Sequence, residues 1–298
     1  MTLRVSSSKV NMKVCIIGKN SYIGNHIDQW LSKSDHSVFQ LDVLSEDWRN
    51  HDYSPYDVVI HVAGIVHQPT CQDATLYNRV NTEMPICIAE KFKKSRTSKS
   101  VFVFLSTMAV FGVSKRLGKN VIHEDTPTSP SGLYGTSKLN AEEGLLPLQD
   151  DNFDVIIVRP PNVYGKGCRG GYIKGFERVV KKLPMIPRAF TNVKQSVLYI
   201  DNLCEFIRLA IEQKLKGVFM PQDDCAVSAV DICTAIAKGI GKKPRTSALL
   251  GLAVRVFSFI PLIQKAYGGV EYDMKLSQIE GMNYVCVPFE EAMVRTVK

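Results

Sequence analysis

Tyr134 and Lys138 stand four apart in Tyr134-Gly135-Thr136-Ser137-Lys138, a spacing that puts both on one face of a helix, one turn from each other. An ammonium held near a phenol favours the phenolate, so the Tyr134 pKa is expected to fall from about 10 towards neutrality. Such a phenol takes or returns a proton at a sugar or alcohol oxygen. The pair gains meaning only beside a redox-cofactor site and a second hydroxyl donor, because eleven Tyr in a Lys-rich chain place one such pair by chance.

A cofactor site is legible near the start. Lys13-Val14-Cys15-Ile16-Ile17 reads as a buried strand, Gly18-Lys19-Asn20-Ser21-Tyr22-Ile23-Gly24 as a turn, and Ile27, Trp30 and Leu31 as one side of a following helix. Gly18 permits the tight turn and Gly24 lets the helix approach the strand, with backbone N–H groups facing a pyrophosphate. Ser21 replaces the usual middle Gly: either the backbone stands further from the phosphates, or the hydroxyl binds one. Asp42 ends the next strand 24 residues after Gly18, where a carboxylate bonds ribose hydroxyls and repels a 2′-phosphate. That favours NAD and leaves NADP open. Only fourteen residues separate Asp42 from Asp57, so the usual helix and third strand between them are compressed.

Further strands are expected at 57–64, 101–105 and 154–158, with a helix over 77–94 that carries Asn81 and another over 134–147. Residues 106–112 leave the sheet at the strand ends, the edge where open α/β sheets bind ligands. The fold class is α/β: a Rossmann-type doubly wound parallel sheet with a smaller C-terminal α/β substrate lobe. The boundaries are 12–165 for the dinucleotide domain with a returning segment at 196–220, then 166–195 and 221–298 for the lobe. Residues 1–11 are expected to be disordered, with Met12 as an alternative start.

The totals fit a soluble globular chain with one large α/β domain or a domain plus a smaller lobe: 298 residues, 45% hydrophobic, 22% charged, net charge +8. Lys91 to Lys94 and Lys242-Lys243 read as solvated helix ends, and no nucleic-acid module accompanies them. Eight Cys without metal-ligand spacing read as reduced thiols, and no metal site is expected. The longest apolar segment, Ala248 to Ile263, is broken by Arg255 and Pro261 and is too short to span a bilayer. A helix packed on the lobe is the first reading of it; a membrane-surface helix is the alternative.

Seven segments in order then carry a resemblance: 18–24 (GKNSYIG), 57–64 (DVVIHVAG), 80–81 (VN), 104–112 (FLSTMAVFG), 134–143 (YGTSKLNAEE), 159–165 (RPPNVYG) and 198–203 (LYIDNL). The chain resembles the extended short-chain dehydrogenase/reductases, in the branch of NAD-dependent nucleotide-sugar epimerases, dehydratases and reductases. The resemblance implies Tyr134 as catalytic acid/base, Lys138 holding the nicotinamide ribose, and Thr107 bonding the reacting sugar oxygen. It places Gly18, Ser21, Tyr22, Ile23, Gly24, Asp42, Ala63, Gly64 and Asn81 along the dinucleotide, and Asn162 on a substrate diphosphate. Departures bear on the reaction. Met108-Ala109 stand where dehydratases have Asp-Glu, so dehydration is rejected. Gln195 stands where an Arg commonly grips the diphosphate, with Lys194, Arg169 or Lys166 as substitutes. His61 is read as a strand residue and His67 as lining the pocket.

Three functions follow as expectations. The first is a nucleotide-sugar 4-epimerase resembling UDP-glucose 4-epimerases, oxidising C4 transiently in polysaccharide precursor synthesis. The second is an NAD(P)H-dependent nucleotide-4-keto-6-deoxysugar reductase; the third is a non-catalytic dinucleotide sensor. A UDP-linked substrate, a homodimer, a cytoplasmic location and no stable membrane insertion complete the expectation.

Overall fold

Apolar strand runs assemble into one all-parallel sheet in this computed structural model, which describes residues 11–44, 47–66, 73–112, 117–168 and 171–298. The expected disorder of 1–11 (save Asn11) and the assignments to His67 and Arg169 lie outside the described residues. The strands are β1 (Lys13–Ile17), β2 (Ser37–Leu41), β3 (Val58–His61), β4 (Ser100–Leu105), β5 (Phe153–Val158) and β6 (Gly217–Phe219). Their spatial order is β2-β1-β3-β4-β5-β6.

Register aligns Ile17 with Leu41 and His61, His61 with Phe104, and Leu105 with Val158. The segments beginning at 18, 42, 62, 106 and 159 therefore leave along one edge. The winding reverses between β1 and β3, which opens a crevice at the Gly18 turn. Among the described residues no strand lies between β2 and β3, in keeping with the short spacing there.

Alternation along the strands feeds two cores. Val14, Ile16, Ile60 and Val103 face helices α1 (Tyr22–Ser32) and α5 (Ile200–Glu212). Ile17, Val59, Phe102 and Phe104 face α2 (Met84–Ser95) and α3 (Leu133–Leu145). Each such side chain, at or near zero exposure, contributes about 1.5–3 kcal/mol. The stretch expected as one helix from 77 is interrupted by a π-helical turn at Asn78–Glu83. Pro85 follows at the start of α2, lacks an N–H, and crowds the carbonyl four residues back; a widened turn relieves both.

Besides a single α-helical turn at Ala74–Tyr77, the longer helices that remain are α4 (Gly171–Lys182), α6 (Ala229–Gly239), α7 (Ala248–Val256), α8 (Pro261–Tyr267) and α9 (Phe289–Val297). Three two-residue or three-residue parallel pairs tie this half together: 186–187 with 246–247, 121–122 with 271–272, and 162–164 with 197–199. The run 248–263 meets the lobe through Gly251 against Arg188 but leaves most of its apolar side chains exposed. Gly251 is the buried residue of α7, and α8 buries none.

The segment 198–203 organises the junction. Asp223 accepts from Tyr199 N (2.8 Å), Asn202 Nδ2 (2.8 Å) and the Tyr164 hydroxyl (2.7 Å), and Asn202 also bonds both backbone groups of Val287. Burial pushes the Asp223 carboxyl up from 3.8 to about 6, against those three hydrogen bonds. The folded chain thus holds this proton more tightly than the unfolded one. The resulting stabilisation is complete below 3.8 and is lost as pH rises through about 6. Asp223→Asn should flatten that part of the stability curve, read from urea midpoints across the window. Equal slopes in the two proteins would sink the assignment.

Candidate active site

The Gly18 turn forms as its sequence requires. Gly18 has φ +122°, and a Cβ there would meet Ala63 N and Val62 Cγ2 at 3.0 Å, so only glycine lets β1 pass so near the end of β3. Its N–H and that of Lys19 bond Leu41 O (both 3.1 Å), which brings Asp42 to the same edge. Ser21 Oγ caps α1 by accepting from Gly24 N at 3.1 Å, which fixes its hydroxyl at the turn. Gly24 is needed beneath it, since a Cβ would lie 2.6 Å from that Oγ. Tyr22 reaches Gly165, where a Cβ would lie 2.6 Å from the phenol oxygen. That oxygen is buried without a hydrogen-bond partner, and burial raises its pKa. A lined turn with an unused buried hydroxyl fits the phosphate-bearing middle of a dinucleotide.

Thr107 and Tyr134 come together. Thr107 leaves the end of β4, and its hydroxyl hydrogen-bonds the Tyr134 phenol and accepts from Ala109 N at 3.1 Å. Gly135 permits the approach, because a Cβ there would lie 2.6 Å from Ala109 O. Lys138 is buried, with Nζ 2.8 Å from Leu105 O and 4.4 Å from the centroid of Phe104.

The expected lowering of the Tyr134 pKa by Lys138 is not found. Burial raises the phenol, the Thr107 hydrogen bond opposes this, and Tyr77 adds to it. Lys138 itself is pushed down to about 7 by burial, against the pull of Glu142. Desolvation acts on both groups and disfavours both charges, and the ammonium is spent on a carbonyl. In the resting chain the phenol keeps its proton and Lys138 is the group that titrates near neutrality.

Asn81 is fully buried in the π-helical turn. Its amide brackets the Ile65 backbone (2.8 and 2.9 Å) and donates to Ser137 Oγ (3.1 Å). It thus ties the segment after β3 to α3. Gly64 sits between the two: a Cβ would lie 3.0 Å from Asn81 Oδ1 and 3.3 Å from Lys138 Nζ. The resulting slot from Gly18 through Ala63 and Gly64 to Lys138 fits a nicotinamide ribose at its far end. His61 is a buried residue of β3, as expected of a strand residue, its ring tilted against Phe102 and Phe104. Burial and the Lys138 charge push it down to about 3, so it stays neutral.

Three supporting residues, Glu142, Arg159 and Ser106, escaped the sequence reading. Glu142, one turn beyond Lys138, is 1% exposed and receives Arg159 Nε at 3.1 Å and Nη2 at 2.6 Å. Ser106 donates to the same carboxylate. The signal was present in the first Glu of residues 134–143 and the Arg opening 159–165.

On the substrate side, Asn162 stands at the edge beyond β5, exposed. Lys194 is not a free diphosphate clamp, since its ammonium lies 2.6 Å from Asp231. Gln195 is buried, and its side chain hydrogen-bonds the Tyr172 hydroxyl. Tyr172 and Asn162 line one apolar cavity of about 740 Å³, so Gln195 acts behind its wall. Among the described residues no His, Cys, Asp or Glu group could hold a metal ion.

Comparison with known proteins agrees with this geometry. Residues 14–219 match the model of the NAD dependent epimerase/dehydratase family. The chain belongs to this family. A UDP-glucose 4-epimerase of Vibrio cholerae is 30% identical over 191 residues, which cover 62% of this chain and 57% of that protein. Uncharacterized protein y4nG of Sinorhizobium fredii is 30% identical over 154 residues, 50% of this chain and 36% of that one. The chain thus spans about half or less of the curated relatives it matches. Among solved structures, UDP-glucuronic acid 4-epimerase of Bacillus cereus with NAD superposes with TM-score 0.70 at 20% identity, covering 96% and 97% of the two chains. The dTDP-4-dehydrorhamnose reductase of Bacillus anthracis with NADP gives 0.67 at 19%, covering 96% and 98%. These likenesses establish the Rossmann-type fold.

Proposed function

We propose that this chain is an NAD-dependent 4-epimerase of a sugar carried on a diphosphate, acting by transient oxidation at sugar C4. The observation that carries the reading is the Thr107–Tyr134 hydrogen bond one helical turn from Lys138. When bound, NAD supplies a hydride acceptor and donor and a positive charge beside the phenol. The chain supplies the proton chemistry. Tyr134 takes the O4 proton as C4 becomes a ketone and returns it when the other face of the ketone is reduced. Thr107 donates to the same oxygen and holds its charge in both directions. Lys138, Asn81 and Gly64 shape the ribose slot, and the Gly18 turn with Tyr22 takes the phosphates. Asn162 holds the sugar's diphosphate.

Met108 and Ala109 cannot move a proton, which supports epimerisation over dehydration. Asp42 at the tip of β2 supports NAD over NADP. UDP-linked sugars are the first substrates to test, by analogy with the Vibrio cholerae relative; a cytoplasmic homodimer in polysaccharide precursor synthesis goes with the reading. Purified protein is expected to carry nicotinamide absorbance and to interconvert C4 epimers with no added cofactor, read by NMR. Turnover confined to a 4-keto sugar with added NADH or NADPH would replace the epimerase by the reductase. Bound cofactor with no turnover of any sugar would leave the sensor.

A further inference from the structure

The second lobe carries an apolar surface that the chemistry of the crevice does not use. In α7, α8 and the link between them, Leu249 (77% exposed), Leu252 (57%), Phe259 (71%) and Leu262 (75%) all face outward. The hairpin is fastened at Gly251 and Tyr267 and not by its leucines: a Cβ on Gly251 would lie 2.1 Å from Arg188 O, and the Tyr267 hydroxyl donates to Pro187 O at 3.3 Å. A helix that buries only its glycine and exposes its leucines has the wrong side out for a water-facing lobe.

The surface is also basic. From Ile232 to Val270 the chain has no Asp or Glu; Lys238 pairs with Glu290 at 3.0 Å, and Lys242, Lys243, Arg245, Arg255 and Lys265 complete its cations. Lys242 Nζ bonds Val180 O (3.1 Å) and Lys181 O (2.9 Å), which sets it beside Lys181 and Lys182 at the end of α4. Exposed Leu183 and Met185 follow there. Apolar side chains rimmed by cations complement an anionic lipid surface. A second copy of the chain would bring the same cations face to face. Among the described residues no helix is long and apolar enough to cross a membrane, so the hairpin would lie on one.

The cavity of about 740 Å³ joins this surface to the site. Leu183, Met185 and Leu262 are its exposed lining residues, Phe176, Val254 and Ile263 are more covered, and Asn162, itself exposed, lines it too. Beyond Asn162, its polar lining side chains are Tyr172 (already bonded to Gln195), Tyr267 (whose hydroxyl donates to Pro187 O), Lys265 and Cys233. A nucleoside would leave most of its base and ribose groups unpaired against such walls, whereas a hydrocarbon chain has none to satisfy.

We propose that the lobe docks on an anionic membrane through residues 248–267 and that the sugar arrives as an isoprenyl diphosphate, its hydrocarbon in the cavity and its diphosphate at Asn162. The carrier assignment rests on the epimerase reading above; the docking does not. Full-length protein is to be sedimented with phosphatidylcholine vesicles, with and without phosphatidylglycerol. Wild type is expected to follow the anionic vesicles and to be released by salt. The triple variant Leu249→Glu/Leu252→Glu/Phe259→Glu should bind at least about tenfold more weakly with unchanged melting and NAD content, because all three side chains are exposed. Wild type left in the supernatant, a triple variant that binds equally, or a wild-type dimer that the variant splits would each overturn the docking.

In the second arm, an isoprenyl-diphosphate-linked sugar in vesicles is compared with the matching UDP-sugar. The lipid-linked form should show at least about tenfold higher kcat/KM, the hydrocarbon adding apolar burial that a nucleoside cannot. Equal or better turnover of the UDP-sugar overturns the carrier and spares the epimerase. Turnover of neither overturns both.

Discussion

Tyr134→Phe should lower turnover by about 10²–10⁴-fold, roughly 3–5 kcal/mol of barrier, while the fold and bound cofactor remain. The substitution removes one oxygen and keeps a ring of nearly the same shape, so packing around α3 is preserved. What disappears is the group that exchanges a proton with the sugar oxygen, together with the partner of the Thr107 hydroxyl. Lys138 keeps its bond to Leu105 O and Asn81 its bracket on Ile65, so the ribose slot stands. Initial rates, nicotinamide absorbance of the purified protein and far-UV circular dichroism separate the three quantities. A variant within a few-fold of wild type would end the acid/base role of Tyr134. The resting pKa shifts sharpen the expectation: burial raises the phenol, so the wild-type rate should climb with pH.

The parts of this site that were legible in the sequence are those whose reason is local. Gly18 and Gly24 announce a turn because a backbone with φ +122° and a helix against a strand tolerate no side chain. Tyr134 and Lys138 share a helix face by spacing alone. The parts that were not legible depend on chain that is distant in sequence. The direction of the Tyr134 shift is set by desolvation, which no spacing reveals, and it overrode the charge four residues away. Glu142 reads as a solvated helix residue until Arg159 is folded opposite it, and Lys194 reads as a free cation until Asp231 takes it. The π-helical turn around Asn81 answers to Ile65 and Ser137, which strand and helix periodicities do not place. The run 248–263 reads as core because it is apolar; its exposure follows from where Gly251 meets Arg188.

Arg159→Met should cost about 3–5 kcal/mol of stability, because it strands a carboxylate that is 1% exposed. Arg159 grips both oxygens of Glu142 while its carbonyl accepts from the Tyr272 hydroxyl at 2.9 Å. Ser106, the residue before Thr107, is left as the partner of that charge. The ion pair therefore joins three pieces, the end of β4, the end of β5 and the third turn of α3, and their relative placement sets the Thr107–Tyr134 contact. Turnover should fall as well, since Glu142 also supports the charge on Lys138 one turn away. Replacing both partners, Glu142→Leu with Arg159→Met, removes the stranded charge and should recover most of the stability without recovering the rate. Urea midpoints for wild type, the single variant and the double variant test the first claim, and initial rates the second. A single variant within about 0.5 kcal/mol of wild type would show the carboxylate to be solvated or protonated in the folded chain, and the clamp on the catalytic edge would have to lie elsewhere.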